Sequence, residues 1–407
     1  MAALLSTLAA TSSVSEISDR QITQGFIYIY EVPANYTTGQ LATPLNQTSE
    51  AGLWTQTYDI DQHVYRFLST SSARTYDPAE AKLFYIPAFL ARLFFNEFHV
   101  LHHNVGQAFL ACTFASLELI KWVQQSAPYW NMTQGENHFM VFPLDHGRCL
   151  SLGGAQAHQF GRITGIQASG DLVLTDGLSK SWYCYRPYRD IVLPQPIEST
   201  LAEVSRLTPP SSTQRDISVL YRFGPGGSYG TFAYRNDPHN YSHSDLRGEI
   251  LRQHEENPIP GAVAGKASLH QTHLDMQKAV FCVTPNGASQ HTVRTYRAIL
   301  AGCIPVTFFR AFDNPWERNL GLDWSTFTVN INPDEYYMAG DILRRVLRTP
   351  ARVQSLQNNL AEVQPMFEWF SGSDRGVEHT LLRELSLIAD RNSLATASSG
   401  TQLPPES

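Results

Sequence analysis

"AVFCVTPNGASQHTVRTYRAILAGCIPVTFF", residues 279–309, reads as a strand, a turn, a helix and a second strand in succession. Ala279 to Val283 is a short apolar run, the pattern of a strand buried on both faces. Pro285 and Gly287 then permit a tight turn with close backbone approach. From Thr292 apolar residues recur at helical spacing, a Gly-Cys pair stops the helix, and a second apolar strand follows. This alternation is the unit of a parallel α/β sheet. Its strand–loop–helix corner presents unpaired backbone N–H groups and the positive end of a helix dipole, a ready site for phosphate. Arg294, in the first turns of that helix, is placed to lay its guanidinium fork on a diphosphate. The alternative is a solvated helix residue beside an ordinary turn, and spacing alone leaves both open.

The 407 residues exceed what one compact core accommodates, so two domains are expected. A hydrophobic share of 43% with 16% charged residues is a globular composition. The net charge of −7 gives no basic field for nucleic acid or an anionic membrane surface, so an anionic ligand must be held locally. The five cysteines (Cys112, Cys149, Cys184, Cys282, Cys303) form no CxxC pair and no zinc spacing. Cys282 and Cys303 lie in apolar runs and read as small buried hydrophobes. Asn-x-Ser/Thr triplets at Asn35, Asn46, Asn131 and Asn240 point to the secretory pathway. The opening "MAALLSTLAATSSV" is too short to span a bilayer and lacks a basic flank. A membrane anchor missing from this sequence is therefore expected, with another route to the compartment as the alternative.

Working outward from 279–309, the N-terminal half alternates strands ("FIYIYEVP" 26–33, "LFYIP" 83–87, "HFMVF" 138–142, "DLVLTDG" 171–177, "DIVLPQP" 190–196) with an amphipathic helix at 105–125. The Pro/Ser/Thr cluster closing residues 198–216 is the best linker, after which "ISVLYRFG" (217–224) opens a second α/β run and 341–367 forms a helical C-terminus. The expected division is a disordered N-terminus or anchor remnant at 1–24, one α/β domain at 25–200, a second at 201–370, and a C-terminal helix with loose tail at 371–407. Two such halves place a cleft between the carboxyl ends of two sheets.

The segment "FCVTPNGASQHTVRTYRAILAGCIPVTFF", continued by "NPWERNLGLDWSTFTVNI", resembles the C-terminal motif of exostosin-like glycosyltransferases. "ARTYDPAEAKLFYIPAF", "YWNMTQGENHFMVFPLDHG" and "YRDIVLPQP" are similar to N-terminal elements of the same family, in the same order, over about residues 26–370. The resemblance implies an α/β GT-B fold, two Rossmann-like domains facing a central cleft. It implies an inverting, metal-independent hexosyl- or pentosyltransferase that uses a UDP-sugar as co-substrate, with no further cofactor. The expected partners are the nucleotide-sugar donor, a glycan or glycoprotein acceptor in Golgi-lumenal glycoprotein or cell-wall synthesis, and a homo- or hetero-oligomeric companion. The alternative is a catalytically impaired member acting as a scaffold or partner subunit.

Carried over residue by residue, Pro285, Asn286, Gly287, Thr292 and Arg294 lie in the donor-site motif, and Glu317 falls on the Glu of its Pro-Phe-Glu element. Arg297 stands where the family has an acidic residue; an arginine cannot accept a ribose or sugar hydrogen bond. Asp145 matches the Asp of a His-Asp-Trp-Gly element in which Leu144 and His146 replace the flanking residues. Asp145 or His146 would be the base, the alternative being an Asp that caps the next turn. Arg222, after the second domain's first strand, is a second diphosphate candidate or a surface arginine. "DID" (59–61) fits a metal-binding Asp-x-Asp but follows polar residues rather than an apolar strand, so no metal role is assigned.

Overall fold

The computed structural model describes residues 12–34, 57–101, 103–126, 128–145, 147–148, 162–172, 185–197, 208–210, 214–224, 243–287 and 290–399. Among these, two fully parallel sheets form, as the α/β reading requires. The first runs β2–β1–β3–β4–β5–β6, from β1 (Ile27–Ile29), β2 (Arg74–Thr75), β3 (Leu83–Tyr85), β4 (His138–Phe142), β5 (Thr164–Gln167) and β6 (Ile191–Val192). The second runs β11–β10–β9–β7–β8, from β7 (Ile217–Tyr221), β8 (Val263–Ala264), β9 (Ala279–Val283), β10 (Ile304–Thr307) and β11 (Val329–Asn330). β3 and β4 are buried at every position, which a sheet covered on both faces demands.

Helices cover these faces: α1 (Val14–Ser18), α2 (Ile60–Thr70), α3 (Leu90–Val100), α4 (Val105–Ser126), α5 (Tyr129–Thr133), α6 (His243–Glu256), α7 (Leu269–Lys278), α8 (Val293–Leu300), α9 (Glu317–Leu320), α10 (Ala339–Leu347), α11 (Pro350–Val363) and α12 (Val377–Ser399). The helical C-terminus expected over 341–367 forms as α10 and α11, with Pro350 starting the second. β5, "TGIQ", is not visible in the sequence, because a strand that short and containing Gly165 lacks the usual apolar run.

The opening segment folds as read. Thr292 is the N-cap of α8, its hydroxyl accepting from the Arg294 N–H at 3.4 Å. Gly302 closes the helix at φ 67°, and a Cβ there would stand 2.2 Å from the Thr208 carbonyl, so only glycine fits. Arg215 ties the linker to this unit by donating to the carbonyls of Pro210, Met276, Ala279 and Ala301.

Two expectations are overturned. Cys282 and Cys303 are joined in a disulfide, with Cα atoms 5.8 Å apart, because parallel β9 and β10 set Cys282 opposite Pro305 and Cys303 immediately precedes β10. Their apolar surroundings are real, but their separation in sequence hides the adjacency; Cys112 is free and buried, and Cys149 and Cys184 lie outside the described residues. Residues 12–24, expected to be disordered, are ordered: Ser13 caps α1 in a capping box, Ile17 is buried, and Arg383 of α12 donates to the Ser18 and Arg20 carbonyls.

The carboxyl ends of the two sheets face each other across an antiparallel seam. Past β5, Leu172 N–H donates to the Ala311 carbonyl at 3.0 Å; past β10, Asp313 N–H donates to the Gly170 carbonyl at 2.9 Å. A side chain on Gly170 would meet the Asp313 carbonyl at 1.9 Å, so the backbones touch here. Gln290 bridges the same seam, its Nε2 donating to Asp171 Oδ1 at 3.1 Å while its Oε1 accepts from Arg310 N–H. α12 then returns to the first domain, where Arg391 donates to the Tyr188 carbonyl and Trp369 to the Pro194 carbonyl.

Closing a loop of this length with a disulfide contributes about 3 kcal/mol. Replacing Cys282 and Cys303 together by alanine is expected to lower the unfolding free energy by about that amount in urea titration; an unchanged midpoint would contradict the pairing. On α12, burial pushes the Glu384 carboxyl up to about 8, above its ordinary 4.5. A raised carboxyl contributes stability that is complete below pH 4.5 and is lost as pH rises towards 8. Glu384→Gln should therefore flatten the decline in melting temperature across that window, and an equal decline in both proteins would refute the assignment.

Candidate functional site

The second sheet has the doubly wound order 2-1-3-4-5 and the first extends it by one strand to 2-1-3-4-5-6, so in each the strand order reverses between the first and third strands. In the second domain this places the crevice for a ligand between the carboxyl ends of β7 and β9. The β9 end continues into Pro285, Asn286 and Gly287, then reaches Thr292 at the N-terminus of α8. Pro285 is buried. Asn286 is 3% exposed and donates from Nδ2 to the Phe308 carbonyl, while its Oδ1 is buried with no hydrogen-bond partner.

The decisive residue here was not foreseen. Arg247, from α6, donates through Nε to the Asn286 carbonyl at 2.9 Å, and its Nη2 lies 3.7 Å from where a Cβ on Gly287 would stand. Arg294 sits beside it: burial first, then the positive charge of Arg247, pushes the Arg294 guanidinium down to about 10. Burial also lowers Arg247. Neither guanidinium has a carboxylate partner among the described residues. Two adjacent, half-buried, uncompensated cations at a helix N-terminus form a place for a polyanion. Nothing in "LRGEILRQHEE" distinguishes Arg247 from a solvated helix residue; only the fold brings it to the β9 loop.

The remaining predicted donor residues separate. Thr292 uses its hydroxyl as the cap of α8. Arg222 is held by Asp275 at 2.8 Å and by the carbonyls of Ala264 and Gly265, so its charge is already matched and it braces β7 against α7 and β8. Glu317 accepts from the Asn314 N–H and Nδ2, both at 2.9 Å, and so starts α9. Burial lowers Arg297 to about 10, and it stands in the last turn of α8, away from the N-terminal end that bears Arg294. The tyrosine-rich loop at 228–241 lies outside the described residues.

On the first domain, Asp145 lies past the end of β4 and is 24% exposed. Its Oδ1 accepts a 2.6 Å hydrogen bond from the Tyr58 hydroxyl, and His291 of the β9–α8 loop approaches the same oxygen at 3.7 Å. That distance exceeds a hydrogen bond, and burial pushes His291 down to about 4, so the imidazole is neutral at neutral pH. The structure thus brings Asp145 within reach of the loop that bears Arg294. His146, the other candidate base, lies outside the described residues. Tyr58 and His291 carry no sequence signal of their own; the adjacency comes from the facing sheets.

The "DID" acids are structural. Asp61 is fully buried and accepts from the N–H groups of Gln62 and of Ala91 at the start of α3, and Asp59 accepts from Gln62 Nε2. Among the described residues no cluster of three His, Cys, Asp or Glu side chains is arranged to hold a metal ion.

Comparison with known proteins identifies the family. The exostosin GT47 domain matches residues 23–346. The "Probable glucuronosyltransferase GUT1" of Oryza sativa subsp. japonica is 26% identical over 339 residues, covering 83% of this chain and 75% of that protein. The "Probable beta-1,4-xylosyltransferase IRX10L" of Arabidopsis thaliana is 28% identical over 295 residues, covering 69% of this chain and 61% of that protein. Among solved structures, Anabaena HepE in complex with UDP aligns at a TM-score of 0.34 and 10% identity, over 92% of this chain and 100% of that one. With its two parallel α/β sheets in GT-B arrangement and a family match spanning most of its length, the chain belongs to the exostosin GT47 family of glycosyltransferases.

Proposed function

We propose that this protein transfers a sugar, with inversion, from a UDP-sugar to a hydroxyl of a glycan or glycoprotein acceptor. The observation that carries this reading is the Arg247–Arg294 pair at the β7–β9 switch point, two guanidiniums with no carboxylate partner among the described residues. A nucleoside diphosphate supplies the charge they lack, and its leaving-group charge grows as the sugar departs. Preorganised cations and the N–H groups opening α8 stabilise that charge without reorganising. Asp145, across the cleft, takes the proton from the attacking hydroxyl. The acceptor oxygen bonds to the anomeric carbon on the face opposite the diphosphate, and UDP leaves with the electron pair of the broken bond. The family's glucuronosyl- and xylosyltransferase names favour a uronate or pentose donor.

The same reading places the protein on the lumenal side of the Golgi. The buried Cys282–Cys303 disulfide suits an oxidising compartment, and the Asn131 triplet is exposed. The other three triplets lie outside the described residues.

Calorimetry with UDP, in the presence of EDTA, tests the carrying observation. Arg294→Ala and Arg247→Ala are each expected to weaken UDP binding about 10- to 100-fold, the loss of about 1.5–3 kcal/mol for a charge-assisted hydrogen bond. Arg222→Ala should alter melting temperature more than UDP affinity. UDP affinity unmoved by either cleft substitution would refute the donor site. Measurable UDP binding with no UDP release from a panel of UDP-sugars, alone or with oligosaccharides, would refute transfer.

A further inference from the structure

We propose that Tyr58 and Gln195 complete an acceptor subsite around Asp145, with Tyr58 positioning the carboxylate and Gln195 binding an oxygen of the acceptor sugar. The inference rests on the reading of Asp145 as the base. Three observations bear on it, none of them from the donor loop.

First, the Tyr58 hydroxyl donates to one oxygen of Asp145 only, Oδ1, at 2.6 Å. A short hydrogen bond to a carboxylate is among the stronger ones and fixes its orientation. The ring is held in turn against Phe95, with centroids 5.7 Å apart. Tyr58 is no base itself: burial first, then the Asp145 charge, pushes its phenol well above the ordinary range. Its part is to hold the carboxylate while the acceptor's proton moves to it.

Second, Gln195 faces the Tyr58 hydroxyl from the segment after β6. It is 3% exposed, and apart from this approach to the phenol its buried Nε2, which carries two N–H groups, has no hydrogen-bond partner. A buried N–H left unbonded is costly, so natural proteins rarely leave one unless a ligand completes it. Next to a base that serves a sugar hydroxyl, the missing acceptor is a sugar oxygen.

Third, the backbone that carries Gln195 is rigid. Pro194 and Pro196 flank it and restrict its conformation to extended, while Trp369 Nε1 donates to the Pro194 carbonyl at 3.0 Å. A side chain on so constrained a segment is held in place before the acceptor arrives, which is what a binding group requires.

Kinetics of UDP release test this, with UDP-xylose and UDP-glucuronate as donors and xylo-oligosaccharides or water as acceptors. Tyr58→Phe is expected to lower kcat about 10- to 100-fold with donor KM unchanged. It should also move the acid limb of the kcat profile to higher pH, because the carboxylate loses a hydrogen bond that favours its charged form. Gln195→Leu is expected to raise the oligosaccharide KM about tenfold while leaving the Kd for UDP and the melting temperature near wild type. A merely structural Tyr58 would not shift the acid limb. Wild-type release with both variants unchanged in kcat, pH profile and acceptor KM would overturn the subsite and leave the donor site standing. No release by the wild type with any donor would overturn the transferase reading, and the subsite with it.

Discussion

The cleft depends on a short backbone contact. Gly170 to Leu172 and Ala311 to Asp313 pair antiparallel, one strand end from each domain, with no room for a side chain on Gly170. Two parallel sheets with doubly wound order each offer a crevice at their carboxyl ends. The seam makes those crevices one site, and Gln290 locks it by bonding to both halves. The approach of His291 to Asp145 follows from the seam, because His291 is the residue after Gln290. The return of α12 to the first domain adds bonds from Arg391 to the Tyr188 carbonyl and to Asn319.

Several buried or half-buried arginines are matched by a carboxylate. Arg148 is completely buried and is matched by Asp190, which also takes Arg186 and the Gly165 N–H. Breaking such a buried pair by removing one partner is strongly destabilising, since it strands the other charge. Arg222 with Asp275 and Arg318 with Asp313 follow the same rule. Arg247 and Arg294 depart from it, and they stand where the topology places a ligand. In a chain of net charge −7, the pair is a local concentration of positive charge without a basic surface around it.

Much of this was legible in the sequence. Periodicity and punctuation over residues 279–309 located β9, α8 and β10, and the helix-terminus argument singled out Arg294 as a candidate ligand. What escaped is tertiary. The sequence cannot show that Cys282 and Cys303 meet across two strands, or that Asp275 neutralises Arg222 from a helix 53 residues away. It cannot show that Arg247 reaches Asn286 or that Tyr58 finds Asp145 87 positions on. These pairings are fixed by strand order, and strand order is not written in local pattern. Residues 12–24 were misread for a related reason: their composition is that of a tail, and their order comes from α12.

A crystal structure of the protein with UDP tests the central claim most directly. The account predicts the diphosphate between the guanidiniums of Arg247 and Arg294, within hydrogen-bond distance of both and of the N–H groups opening α8, with Asp145 facing it across the cleft. UDP seated elsewhere, or a diphosphate touching neither arginine, would contradict it.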